Sequence, residues 1–292
     1  MKYTLENQDL IVTFDSLGGQ LTSIKNHEGL EYLWQADPQY WAGQAPVLFP
    51  ICGSLRNNTA QTEDGQTIRM PRHGIVRKRE FVLEKQTDSE IIFSITADQE
   101  MLAQYPFAFK LFLQYQLVGQ QIQVNYIVNN LEKRPIPIFI GGHPAFNCPL
   151  DKSLQFEDYM IEFEQEERKE LPSPILEKGL LDRENRQVLD FDRRHIALTH
   201  DLFSEDALVF DHAQSKEVTL RSSKSPHSVT LICQDFANIL VWSAKGGPFI
   251  ALEPTSGAST FMDEDDIFEH KDNVRMIPAQ DSAFYSYQLR FQ

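Results

Sequence analysis

The sequence contains no apolar stretch long enough to cross a membrane and only three cysteines. No apolar run comes near the roughly 18 residues that a membrane span needs, and Met1–Asn7 lacks the apolar core of a signal peptide. Cys52, Cys148 and Cys233 are an odd number, far apart and without the spacing of a zinc site. We therefore expect reduced thiols, as is usual in a cytoplasmic protein, rather than a disulfide framework.

Positive charge is also scarce. The 292 residues include 27 Lys and Arg against 42 Asp and Glu, which gives a formal net charge of −15. Binding to nucleic acid needs a basic surface, and so does binding to an anionic membrane. The composition therefore excludes both partners as a first expectation and leaves a small molecule or a second copy of the chain, as a monomer or homodimer.

The sequence lacks the common motifs of cofactor, metal and nucleophile sites. It has no G-x-S-x-G elbow, no P-loop or G-x-G-x-x-G, and no H-E-x-x-H or C-x-x-C. We therefore expect a protein that works without cofactor and without metal. The acidic stretch Asp263–Asp266 lacks the oxygen spacing of an EF-hand, and we interpret it as part of a solvated loop.

Short segments with alternating apolar and polar residues dominate the chain. Phe109–Leu117 and Gln121–Val128 both alternate and flank a turn that contains Gly119, which predicts a β-hairpin. Asp98–Gln104 is a possible short helix, whereas Leu171–Pro174 and Phe261–Lys271 resemble surface loops. About a dozen short strands with few helices favour an all-β fold, a large antiparallel β-sandwich. No change in composition marks a linker, so we expect one domain over residues 1–292.

Two of the eight histidines occur in unusual local sequences. His73 lies between Pro71 and Gly74, and His143 follows two glycines and precedes Pro144. Glycines allow close approach of a ligand, and a proline biases the preceding residue towards an extended conformation. Histidine suits proton transfer near neutral pH, although these patterns alone fit a structural role as well. The other six resemble exposed loop histidines: His27, His195, His200, His212, His227 and His270.

Two further segments carry polar residues at the end of an apolar run. Glu253 follows Phe249–Leu252, and a buried carboxylate there needs a partner or a function. Arg56 and Asn57 follow the apolar segment Pro46–Cys52 and form a hydrogen-bonding set suited to a polyhydroxylated ligand. A solvated position is the alternative interpretation for both segments. Four aromatic residues have rings able to stack on a sugar, although packing is their default role: Trp34, Tyr40, Trp41 and Trp242.

These segments, in this order, resemble the aldose 1-epimerase (galactose mutarotase) family, and within it the LacX-like branch. The resemblance covers about Leu10 to Phe291. The matching segments are Pro46–Asn58, His73–Arg77, Tyr105–Phe109, Gly142–Asn147 and Gly247–Pro254. The resemblance implies a β-supersandwich that interconverts the α and β anomers of a free aldose without cofactor.

The resemblance also implies roles for individual residues. His143 corresponds to the general acid for the ring oxygen, Glu253 to the general base for the anomeric hydroxyl, and His73 to a second imidazole near the reacting carbon. Asp206 and Arg56 correspond to residues that bind sugar hydroxyls. Arg77 is the alternative to Arg56, because Ser54–Arg56 departs from the Gly-Arg of many members. Thr255 stands where related branches commonly carry Trp.

In this mechanism the two reacting groups differ in protonation, and we predict that the site keeps His143 cationic at neutral pH. A hexose 6-phosphate is an alternative substrate, for which the basic cluster Arg72, Arg77, Lys78 and Arg79 would have to supply phosphate ligands. A sugar-binding or sensing protein without catalysis is the other alternative.

Overall fold

Antiparallel strands make up most of the regular structure in the computed structural model, which describes residues 1–292. The strands are β1 (Lys2–Glu6), β2 (Leu10–Asp15), β3 (Gln20–Asn26), β4 (Val47–Leu48), β5 (Thr59–Gln61), β6 (Thr67–Arg69), β7 (Val82–Gln86), β8 (Glu90–Thr96), β9 (Phe109–Val118), β10 (Gln121–Asn130), β11 (Ile136–Ile138), β12 (Gly141–Gly142), β13 (Ala145–Asn147), β14 (Met160–Phe163), β15 (Glu170–Ile175), β16 (Leu180–Val188), β17 (His195–Ala197), β18 (Leu208–Phe210), β19 (Glu217–Arg221), β20 (Ser228–Ile232), β21 (Asn238–Trp242), β22 (Phe249–Thr255), β23 (Arg275–Ile277) and β24 (Ser282–Phe291). The one α-helix, α1 (Gln99–Gln104), begins after Asp98, whose side chain accepts a hydrogen bond from the backbone N–H of Met101. Short 3₁₀ turns cover Arg56–Asn58, Phe156–Asp158, His200–Phe203 and Phe268–His270.

Two large sheets organise the molecule. One has nine strands in the order β17-β14-β19-β20-β24-β10-β9-β8-β7, and the other has the order β18-β21-β22-β12-β4 with β13 also paired to β22. Smaller sheets are formed by β1–β3, β5 with β6, β11 with β23, and β15 with β16. The large all-β antiparallel fold predicted from the sequence is confirmed.

Strand β22 lies between two clusters of buried side chains, and each of its faces packs against one of them. Ile250 and Leu252 belong to the main core, a cluster of 71 buried residues, whereas Phe249 and Ala251 pack with Trp34 in a small aromatic cluster. Side chains alternate between the faces of a strand, so Glu253 and Thr255 continue the face that carries Phe249 and Ala251. The sheet therefore delivers Glu253 to the face opposite the main core.

Most predicted elements lie where the alternation indicated. The hairpin of β9 and β10 pairs Val118 with Gln121 across the turn, and α1 begins one residue after the predicted start. Two expectations were wrong. Leu171–Pro174 is not a loop but part of β15, which forms a two-stranded hairpin with β16. The apolar strand does not end at Leu252, because β22 continues to Thr255.

The structure has no helix that is both apolar enough and long enough to span a bilayer.

Candidate active site

Glu253 and His143 meet on the same face of the six-stranded sheet. Glu253 lies inside β22, and His143 follows β12, the strand paired with β22 through Gly141 and Thr255. The imidazole Nε2 of His143 lies 3.3 Å from Oε1 of Glu253, and the side chains are only 8% and 3% exposed. Two groups 110 positions apart in the chain are thus in direct contact, within reach of one proton transfer.

The two glycines before His143 let β12 pack closely against its neighbours. A Cβ on Gly142 would lie 2.8 Å from the hydroxyl oxygen of Tyr287, and one on Gly141 would lie 2.8 Å from the carbonyl oxygen of Pro254. The backbone N–H of His143 then donates to the carbonyl of Pro46, 3.1 Å away. The residue is held in place through its backbone as well as through its packing.

A tight turn presents His73 to the same site. His73 and Gly74 have φ angles of 68° and 80°, and a Cβ on Gly74 would lie 2.0 Å from the carbonyl oxygen of Phe49. The rings of His73 and His143 are 5.6 Å apart, edge to face. A left-handed conformation at a non-glycine residue is strained, and such strain is common at functional sites.

Both ring nitrogens of His73 lie beside an N–H donor. The backbone N–H of Gly53 lies 3.1 Å from Nδ1, and Nε of Arg72 lies 3.2 Å from Nε2. A neutral imidazole accepts at only one nitrogen. The backbone turn and these two neighbours hold the ring beside His143.

Asp206 and Arg72 form the outer polar edge of the site. The guanidinium nitrogens of Arg72 lie 3.3 and 3.4 Å from Oδ2 of Asp206. Asp206 has a φ angle of 114°, in the region that L-residues rarely adopt. The carboxylate is thus held in a fixed position immediately before β18.

Burial disfavours the charged forms of both Glu253 and His143. Burial raises the pKa of Glu253 to about 8 and lowers the pKa of His143 to about 3. At neutral pH the unliganded pair therefore holds its proton on the carboxyl group. The prediction that His143 is cationic at neutral pH is wrong for the unliganded site, because desolvation by the surrounding aromatic rings dominates. Burial and the nearby His143, Arg72 and Arg77 also hold the pKa of His73 well below its usual range.

Aromatic rings pack around His143, which contacts Glu253 but does not itself border the cleft described below. Trp41 stacks on the imidazole at 4.7 Å with an interplanar angle of 25°, and Trp242 meets it edge to face at 5.6 Å. Trp34 binds the carbonyl of Trp41 through its indole N–H at 2.9 Å. The Nδ1 atom of His143 is buried without a hydrogen-bond partner. Packing, rather than a hydrogen bond to the second ring nitrogen, orients this imidazole.

A cleft of about 640 Å³, counted up to its open mouth, lies beside Glu253, His73, Arg72 and Asp206. The hairpin of β15 and β16 covers one side with apolar residues, among them Ile175 and Leu180. The remaining wall includes Thr255 and Ser259. The cleft offers polar groups at its base and an apolar cover.

Arg56 and Asn57 lie outside this cleft. The guanidinium of Arg56 donates to Asp266 at 3.0 Å and to the carbonyls of Phe261, Met262 and Glu264 at 3.3, 3.2 and 3.0 Å. Asn57 is exposed, with a φ angle of 54°. Arg56 holds the segment that follows Phe261 rather than facing the cleft, and Asn57 does not border the cleft either.

The other three members of the predicted basic cluster do not border the cleft. Arg77, Lys78 and Arg79 line a separate groove with Gly74 and Glu100. Burial and the neighbouring charge of Arg72 lower the pKa of Arg77, whose side chain makes no hydrogen bond or ion pair. Arg77 therefore acts on the two histidines through its charge and lies behind the site.

The acidic stretch Asp263–Asp266 is occupied by cationic side chains. Arg183 contacts Asp263 and Lys271 contacts Glu264, both at 2.8 Å. Lys271 and Glu264 are nearly fully buried, so this part of the predicted surface loop is integrated into the fold.

The sequence analysis named Arg72 only as a possible phosphate ligand, Trp41 only as a ring able to stack on a sugar, and Thr255 only as a departure from related branches. Arg72 adjoins His73, so its sequence position was a usable signal. Thr255 was detectable from strand alternation, since it lies two residues beyond Glu253 on β22. The contact between Trp41 and His143 is long-range and left no local pattern.

Comparisons with known proteins identify the family and the fold. The family model described as aldose 1-epimerase matches residues 1–266. The chain is 46% identical over 295 residues to the chromosomal protein LacX of Lactococcus lactis subsp. lactis, covering 99% of both chains. It superimposes on a galactose mutarotase related enzyme from Lactobacillus acidophilus with a TM-score of 0.94 and 29% identity, covering 100% of this chain and 97% of that one.

A galactose mutarotase-like protein from Lactobacillus casei gives a TM-score of 0.91 with 27% identity and complete coverage of both chains. Fold, site and relatives lead to one assignment: the chain belongs to the aldose 1-epimerase family.

Proposed function

We propose that the protein is an aldose 1-epimerase that interconverts the α and β anomers of a free aldohexose by opening and reclosing the ring. The contact of 3.3 Å between His143 and Glu253 in a buried site carries this proposal. A carboxylate and an imidazolium in contact supply the base and the acid that opening of a hemiacetal needs.

The reaction starts from the pair with its single proton. The proton moves from Glu253 to His143 across their contact, which leaves a carboxylate and an imidazolium. Glu253 takes the proton of the anomeric hydroxyl while His143 donates its proton to the ring oxygen, and the bond between the anomeric carbon and the ring oxygen breaks. Rotation of the resulting aldehyde exposes its other face. The same transfers in reverse close the ring as the opposite anomer, and every proton is returned.

Three neighbouring residues support these steps. The imidazole of His73 binds a sugar oxygen near the reacting carbon, while Asp206 accepts from sugar hydroxyls. The positive charge of Arg72 favours the ionised form of Glu253, since it lowers the pKa of that carboxyl against the effect of burial. Arg72 takes the binding role that the sequence suggested for Arg56, because Arg72 borders the cleft.

A hexose 6-phosphate fits this cleft less well. Arg72 is the only cation that borders it, and Arg72 is paired with Asp206. A phosphate group binds best to unpaired Arg or Lys side chains, and the apolar cover from β15 and β16 provides none. The uncharged sugar is therefore the favoured substrate.

The direct test is polarimetry with freshly dissolved α-galactose or α-glucose. We expect His143→Ala and Glu253→Ala each to reduce the catalysed rate by about 10²–10⁴-fold. His200→Ala is a matched control, because His200 also stacks on an aromatic ring, Phe156, but is not paired with Glu253.

Full activity in both variants would refute the assignment of these two residues. Sugar binding by the wild-type protein without any acceleration would favour a binding or sensing protein instead.

A further inference from the structure

Thr255 is a buried residue of the cleft wall with an unused polar group. Its side chain is 1% exposed, and its hydroxyl oxygen is buried without any hydrogen-bond partner. It borders the same cleft as Glu253 and lies two residues further along β22, on the same face of the strand. A strand advances about 3.3 Å per residue, so the two side chains are separated by about 7 Å. That separation lies within the length of one pyranose with its hydroxyls.

The fold itself gives no reason for a hydroxyl at this position. The methyl group of Thr255 faces β12, where it lies 3.0 Å from the place that a Cβ on Gly141 would occupy. The residues paired with Thr255 across the sheet are Gly141 and Asn238, and neither binds its hydroxyl. Buried polar groups are nearly always paired, and one without a partner costs stability. Valine has the same shape without that cost, so a threonine here indicates a partner absent from the protein itself.

We propose that Thr255 is a substrate-binding residue whose hydroxyl pairs with one sugar hydroxyl remote from the anomeric carbon. This inference rests on the proposed function, because it places the anomeric carbon at Glu253. A threonine hydroxyl both donates and accepts, so it can pair with a sugar hydroxyl in either role. Thr255 thereby sets which hydroxyl pattern the cleft prefers.

The test combines Thr255→Val with sugars that each lack one hydroxyl. Polarimetry gives kcat and KM for α-glucose and for its monodeoxy analogues, each missing one hydroxyl other than the anomeric one. We expect Thr255→Val to raise KM for glucose by about three- to tenfold with little change in kcat, as for the loss of one hydrogen bond. We expect the wild type to discriminate against one of these analogues. Thr255→Val should treat that analogue like glucose. Thr255→Ser restores that discrimination.

Thermal unfolding separates a binding role from a structural one. We expect Tm of Thr255→Val to equal or exceed that of the wild type, because the variant removes an unpaired buried hydroxyl. Thr230→Val is the matched control, since the hydroxyl of Thr230 pairs with that of Thr219 at 2.9 Å in the other large sheet. That variant should lower Tm and leave KM unchanged.

Three outcomes would overturn the inference: an unchanged KM, a lower Tm in Thr255→Val, or equal loss of discrimination against every analogue. If the wild type accelerates no anomer exchange, the proposed function fails and calorimetric titration with the same sugars tests Thr255 separately. Loss of discrimination against one analogue in binding would still support the role of Thr255. Absence of binding to all of the sugars would overturn both.

Discussion

The proton shared by Glu253 and His143 predicts an unusual pH dependence. The unliganded pair, with the proton on Glu253, and the reactive pair, with the proton on His143, carry the same number of protons. Activity therefore requires one proton per pair. The pair loses this proton above the raised pKa of about 8 for Glu253, and it gains a second proton only below the pKa of about 3 for His143. We expect kcat/KM to be flat from pH 4 to 7 and to fall about tenfold per pH unit above about 8. Polarimetry with the spontaneous rate subtracted checks this.

Groups with ordinary pKa values would behave differently. His143 would then lose its proton above about 6.5, and Glu253 would gain one below about 4.3. An activity maximum between those values, with a decline already at pH 7, would contradict the effect of burial on this pair.

Trp41 stacks on His143, and we expect this stacking to affect catalysis although Trp41 does not contact the reacting carbon. Trp41 restrains an imidazole whose Nδ1 has no partner, and its ring face attracts the imidazolium that forms during the reaction. We expect Trp41→Leu to lower kcat about tenfold, the equivalent of about 1.4 kcal/mol, with a smaller change in KM. Trp41→Phe keeps an aromatic face and should retain most of the activity. Equal activity in the Leu and Phe variants would show that stacking does not matter.

Individual residues differed in how well the sequence predicted them. His73, His143 and Glu253 were identified because glycine and proline neighbours, or a carboxylate at the end of an apolar run, are local signals. Arg56 was assigned to the sugar from its position after an apolar segment, yet it binds carbonyls of a segment some 200 positions away. The protonation of His143 was beyond sequence reasoning, since it depends on desolvation by residues such as Trp41 and Trp242 that are distant in the chain.

At the scale of elements, the hairpin of β15 and β16 has a buried ion pair at its stem. Arg186 donates to both carboxylate oxygens of Asp211 at 2.9 and 2.7 Å, and Asp211 is 5% exposed. Loss of the cation leaves a buried carboxylate unpaired, and a charged hydrogen bond of this kind contributes about 1.5–3 kcal/mol. We expect Arg186→Gln to increase the opening of the hairpin about ten- to a hundredfold. Limited trypsin digestion at Lys178, in the exposed tip, measures that opening.

A control on the same hairpin separates this pair from surface charge in general. Asp190 pairs with Lys169 at 3.6 Å but is fully exposed, so Asp190→Asn should leave cleavage at Lys178 unchanged. Similar cleavage rates in the wild type and Arg186→Gln would mean that the pair does not hold the hairpin.

The elements that were predicted well are those with full alternation. Strands β9 and β10 alternate over ten residues each and flank a glycine turn, so propensity, pattern and turn chemistry agree. The hairpin of β15 and β16 was missed because Pro172 and Pro174 resemble a loop. In a two-stranded hairpin outside the large sheets, those prolines occupy edge positions that tolerate the missing N–H. The extension of β22 was missed because Glu253 and Pro254 are unusual in a buried strand.

At the scale of the whole molecule, both ends of the chain join one core. The main cluster of 71 buried residues runs from Leu5 to Phe291, and β24 pairs with β10 and β20 inside the nine-stranded sheet. The hydroxyl of Tyr32 also donates to the backbone carbonyl of Gln292 at 3.0 Å. We therefore propose that residues 1–292 fold as one domain, as the uniform composition suggested.

This continuity predicts a single cooperative unfolding transition, although chains of this length often unfold in several steps. Neither large sheet can separate without exposing the other, because residues from both, such as Leu289 of β24 and Leu252 of β22, belong to the same cluster. Near-ultraviolet circular dichroism reports on the packed aromatic rings, and far-ultraviolet circular dichroism reports on the strands. We expect coincident midpoints and a calorimetric enthalpy equal to the van't Hoff enthalpy. Two separated transitions would divide the chain into independent units, and the cleft between the hairpin and β22 would then depend on how those units dock.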